Sequence, residues 1–144
     1  MTAPPPIPNW EQLPSTDAGA YYRLQPGVIV AVPKPGYQQS PQSAQASLEA
    51  LDRIAQAEGR KQAVIVLVDR VASQDAAARR VWSSPRPSET RCAHALVCNT
   101  LLARAIGSFF LGLNKAAIPT RMFADLESAQ IWARQMAEEC SGPL

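Results

Sequence analysis

Histidine occurs once in this sequence, as His94, and cysteine three times, as Cys92, Cys98 and Cys140. Metal centres and imidazole catalysis therefore have almost nothing to be built from. The seven glycines never fall into GxxxxGK or GxGxxG, which removes the phosphate-cradling loops of P-loop and Rossmann folds and leaves no nucleotide cofactor to expect. Net charge is also scarce. Fourteen Lys and Arg against twelve Asp and Glu leave +2, too little to point to nucleic acid or an acidic membrane surface. The longest apolar run, Ala63 to Val68, is far shorter than the roughly 20 residues a spanning helix needs, so no transmembrane segment is expected. The first ten residues lack the basic start and apolar stretch of a secretory signal. An odd number of cysteines does not close into a disulfide framework, and the three read as reduced thiols in a cytoplasmic protein.

What is present fits one folded domain: 144 residues, of which 47% are hydrophobic and 18% charged. Five prolines among the first fourteen residues mark positions 1–19 as an extended tail, with the domain over 20–140 and a short tail at 141–144. Tyr21 to Leu24, the Pro26-Gly27 turn and Val28 to Val32 predict an antiparallel hairpin. Ser40 and Pro41 start a helix in which Ala44, Leu48, Leu51 and Ala55 recur at helical spacing, and Gly59 ends it. Gln62 to Asp69 is apolar without alternation, the mark of a strand covered on both faces and the expected centre of the sheet. A second helix is expected from Ser73 or Gln74 to Trp82 and a strand from Arg91 to Cys98. Thr100 then caps a widely apolar helix, Pro119 to Phe123 forms an edge strand, and Asp125 caps a last helix with Leu126, Ala129, Trp132 and Met136 inward. The order ββαβαβαβα predicts an α/β domain with a mixed, mostly parallel sheet and an N-terminal hairpin.

Few residues invite chemistry. Cys92 and Cys98 are about 20 Å apart at the rise of an extended strand and cannot share a metal. Cys92 and His94, about 6.6 Å apart by the same rise, are expected on one face, as two ligands where zinc needs three or four. Asp69 and Asp75, with Arg70 between them, are close enough in sequence to meet as a carboxylate pair, although Asp75 also suits a helix N-terminus. Ser73, at a strand-to-helix junction, is both a capping hydroxyl and a place where phosphate would meet a helix N-terminus. Phe109, Phe110 and Leu113 widen the apolar arc of their helix into a candidate ligand or oligomer surface. The charge balance hides a contrast, because residues 70–121 carry eight bases and two acids. Within that segment Arg79, Arg80, Arg86 and Arg91 form a candidate partner surface suited to carboxylate or phosphate groups.

The stretch Ala105-Ile-Gly-Ser-Phe-Phe-Leu-Gly-Leu-Asn-Lys115, followed by Ile118-Pro-Thr-Arg-Met-Phe-Ala-Asp125 and Ala129-Gln-Ile-Trp132, resembles a family of uncharacterised bacterial STAS-like (SpoIIAA-like) proteins. These are similar to anti-sigma-factor antagonists and to the C-terminal domain of sulfate transporters, and are sometimes grouped with the CRAL-TRIO lipid-exchange fold. The resemblance spans about residues 21–136. It implies a small STAS-like sandwich and a non-enzymatic regulatory module that binds a protein partner. In the antagonist relatives a serine at the start of the second helix is phosphorylated, and Ser73 is nearest that position. Here Val71-Ala-Ser-Gln-Asp75 stands where the antagonists carry an Asp-Ser-Ser-Gly-like turn. The alternative expectation is a carrier or sensor of a small apolar ligand or lipid, held between the Phe109-Phe110 helix and the sheet. A homodimer formed through the edge strand or that helix is a further expectation.

Overall fold

The computed structural model describes residues 10–82, 89–113, 118–140 and 144, with the backbone alone described over 109–113. Its main sheet has six strands: β1 (Glu11–Thr16), β2 (Gly19–Gln25), β3 (Val28–Pro33), β5 (Gln62–Leu67), β7 (Arg91–Val97) and β8 (Thr120–Phe123), in the order β1-β2-β3-β5-β7-β8. The first three pair antiparallel and the last four run parallel. Four helices complete the fold, α1 (Pro41–Glu58), α2 (Ala76–Trp82), α3 (Leu101–Leu113) and α4 (Leu126–Glu139). The expected mixed α/β architecture with its N-terminal hairpin is therefore the one observed.

The layers follow from the strand sequences. In β3, β5 and β7 nearly every residue is apolar, so both faces must be covered. On one face Val28, Val30, Ala63, Ile65, Ala93 and Ala95 meet α4, whose Ala129, Ala133 and Ala137 lie one turn apart and let that helix sit close to the sheet. Leu126, Trp132 and Met136 flank this stripe, as the helical spacing predicts. On the other face Ile29 and Val64 pack on Ala50, Leu51 and Ile54 of α1, and Leu96 and Cys98 on Ala103 of α3. The layers are α1, α2 and α3, then the sheet, then α4.

Helix boundaries obey local chemistry. Ser40 Oγ accepts from Ser43 N at 3.2 Å in a capping box with Pro41 at the first turn, and Gly59 closes α1 at φ 78°, a left-handed value that favours glycine. Thr100 Oγ1 accepts from Ala103 N at 3.1 Å, and Asp125 Oδ1 from Ser128 N at 2.7 Å, as read from the sequence.

Four expectations are corrected. Glu11–Thr16, placed in the tail by its neighbouring prolines, forms β1, and it tolerates Pro14 because it lies at the sheet edge with its register broken between Leu13 and Thr16. Tyr37–Gln39 and Val71–Gln74, β4 and β6, form a separate parallel ribbon too short to show any periodicity. The second helix consequently begins at Ala76 rather than Ser73 or Gln74, because Val71–Gln74 is drawn into that ribbon. Finally, Cys92 and Cys140 are joined by a disulfide across a Cα separation of 6.4 Å, so only Cys98 is a free thiol. The odd count concealed one pair and one single.

That bond ties β7 to the end of α4 and closes a loop over a sequence separation of 48. Loop-closure entropy gives it a stabilisation of about 2–4 kcal/mol. Denaturant titration of the oxidised protein with and without reductant should show a loss of that size, and Cys140→Ser should start at the lower value and ignore reductant.

Candidate functional site

The Cys92–His94 pair separates first. The β5–β7 register shifts between Gln62 and Ala63, which pair with Arg91 and Ala93, so Cys92 is the extra residue of a bulge. Cys92 therefore packs on the α4 side with Ala93, while His94 points to the opposite face, edge-on to the Trp82 ring with centroids 6.0 Å apart. The expectation of one shared face assumed unbroken alternation, and the bulge removes it. Among the described residues no group of three or more His, Cys, Asp or Glu converges as a metal site.

Asp69 and Asp75 are each committed to backbone amides of a different helix start. Asp69 Oδ1 accepts from Asn99 N at 2.8 Å and Thr100 N at 2.9 Å, ahead of α3, and Asp75 Oδ1 accepts from Ala78 N at 2.8 Å in α2. Asp75 is thus the capping group that the sequence suggested Ser73 to be. Ser73 is exposed in β6, opposite Gln38 of β4.

The candidate partner arginines are divided. Arg80 is exposed on α2, and Arg79 beside it is half-buried. Arg91 turns inward: its Nη1 donates to His94 Nε2 at 3.0 Å, and its guanidinium lies 6.0 Å from the centre of the Trp82 ring. Burial lowers its pKa, partly offset by the Asp52 carboxylate. Arg86 lies outside the described residues. Phe109, Phe110 and Leu113 belong to α3, but their side chains also lie outside them.

A cavity of about 60 Å³ nevertheless opens between α3 and the sheet, where a ligand was expected. Val66 and Leu96 form its floor, Ile106 and Gly107 of α3 its roof, and Val68 and Val71 one side. Gly107 sets the height of the roof, since a Cβ there would come within 2.5 Å of Met122 Sδ and 3.1 Å of Cys98 Sγ. Gln39, Gln74, Trp82 and His94 supply the polar wall. Gln39 and Gln74 arrive from the unpredicted ribbon, with Gln74 Nε2 donating to Gln39 Oε1. A second cavity of about 50 Å³ on the α1 side shares Gln39, Val66, Val71 and Trp82 with the first. In the sequence Trp82 stands out only as the end of the second helix, and the two glutamines sit in no periodic pattern.

The ionisable groups around the cavity are silenced. Burial, reinforced by the Arg91 cation, lowers the His94 pKa to about 3. Because a guanidinium only donates, Nε2 of the neutral ring is the acceptor and the proton resides on Nδ1. Burial, helped by the Asp69 carboxylate, raises the Cys98 thiol to about 12. Both groups are therefore neutral near pH 7.

The family model for a domain of unknown function (DUF7793) matches residues 22–137. The chain belongs to this family. Its match runs from β2 to the last turns of α4 and so contains every residue lining the α3 cavity. Neither the curated proteins nor the solved structures contain a significant match. No described helix is long and apolar enough to cross a membrane.

A native His94 that stays neutral while its unfolded counterpart protonates at the ordinary 6.5 makes the unfolded state bind the extra proton between about pH 6.5 and 3. Stability contributed by this site is complete above 6.5 and falls with pH, by up to about 1.4 kcal/mol per unit. Unfolding free energies of the wild type should therefore decline more steeply below pH 6.5 than those of His94→Gln, and run parallel to them above pH 7.

Proposed function

We propose that this chain is a non-catalytic, cytoplasmic regulatory module of STAS-like type that binds a protein partner over α2 and the first turn of α3. The observation supporting this reading is a contrast between inside and outside. The interior groups with catalytic potential, His94 and Cys98, are locked in their neutral forms. On the surface Leu101 and Leu102 remain 85% and 52% exposed at the start of α3, which neighbours α2 and its exposed Arg80. Exposed leucines beside a cation form the apolar and charged mixture of a small docking patch. The matching C-terminal half and the strand–helix order add the resemblance to antagonist modules. In a reducing compartment the Cys92–Cys140 bond is subject to thiol exchange, while the alanine-stripe packing and the 3.0 Å donation from Arg60 Nη2 to the Ala137 carbonyl hold α4 independently of it.

A photo-crosslinker at position 101 should capture one defined protein in the native cell. Leu101→Asp combined with Arg80→Glu should reduce that capture at least tenfold without changing the thermal midpoint. Equal capture by the double variant, or no crosslinked partner, overturns the reading. A second reading, a sensor of a small ligand, is favoured by the cavity under α3.

A further inference from the structure

We propose that the cavity between α3 and the sheet binds a small uncharged molecule whose head group both accepts and donates hydrogen bonds, an alcohol or a primary amide on a short hydrocarbon body. This rests on the reading of the chain as a regulatory module, and supplies that module with an input.

Two polar atoms carry the inference. Nε1 of Trp82 and Oε1 of Gln74 are sealed from solvent and have no hydrogen-bond partner in the structure, and both side chains line this cavity. An indole N–H can only donate and an amide oxygen only accept, so a matching occupant presents an acceptor to one and a donor to the other. A hydroxyl or a primary amide offers both. Without an occupant each atom forfeits its hydration for nothing in return.

The remaining wall sets the body and the charge. Val66, Val68, Val71, Leu96 and Ile106 are hydrocarbon, which favours a short alkyl group. Among the described residues that line the cavity none carries a charge, and the one imidazole on its wall is neutral, so an ion would find no direct ion pair there. Size is restrictive. A cavity near 150 Å³ is what encloses the six carbons of benzene, so about 60 Å³ takes roughly three non-hydrogen atoms, head group included. A space of this size sets affinities on the order of millimolar for so small a ligand.

The test is a titration of the full-length, isotopically labelled protein with ethanol and with formamide, three non-hydrogen atoms each, followed by proton–nitrogen NMR. Saturable shifts of the Trp82 indole N–H and the Gln74 side-chain amide are expected, with Kd on the order of millimolar, and none with formate or methylammonium at equal concentration. Ile106→Trp, which fills the roof from a half-buried position, should abolish the shifts. Should that variant fail to fold, Gln74→Leu keeps the test open and should weaken binding at least fivefold. Absence of saturable shifts, equal response to the charged probes, or shifts spread over the surface overturns the proposal. Probe binding without partner capture sinks only the interaction reading, and capture without probe binding sinks only this one.

Discussion

The rest of the structure depends on the double-sided burial of β3, β5 and β7. A strand such as Ala-Val-Ile-Val-Leu has no polar face to offer water, so a helix layer is required above and below it. On one side the alanine stripe of α4 meets the sheet closely. On the other, three crossover helices share the same area, and they do not close it completely. The cavities lie on this less tightly covered side, beneath the helices that also carry the exposed leucines.

Burial also decides the chemistry of this protein. His94 and Cys98 are residues that elsewhere perform acid–base and nucleophilic work, but here the same apolar environment that stabilises the sheet removes their ionised forms. Arg91 is placed to orient the imidazole rather than to activate it, because a cation beside a histidine disfavours the protonated ring. The cavity wall therefore presents shape and hydrogen-bonding groups, and its imidazole keeps one charge state near neutral pH.

The fold was legible wherever a long periodic segment met a cap. Ser40-Pro41, Thr100 and Asp125 mark helix starts, and the unbroken apolar run from Ala63 announces a central strand. Legibility failed where partners distant in sequence decide the conformation. Tyr37–Gln39 and Val71–Gln74 are extended only because they pair with each other, and with them came Gln39 and Gln74 of the candidate site. The bulge at Cys92 is likewise invisible in one strand, since it is a property of the pairing with β5, and it alone sends the cysteine to Cys140 and the histidine to Trp82. The sequence offered Phe109, Phe110 and Leu113 of α3 as a ligand surface, whereas the described lining of the cavity beneath that helix comes from Ile106 and Gly107, with its polar groups drawn from elsewhere in the chain.

Each margin of the sheet has a proline nearby: Pro14 lies where the register of β1 shifts, and Pro119 immediately precedes the four residues of β8. Pro119 turns its carbonyl inward, accepting from His94 N at 2.9 Å, and the four residues of β8 offer little open backbone beyond it. A broken register on one margin and a four-residue strand on the other leave short stretches of continuous edge beside central strands that are among the most apolar segments of the described chain.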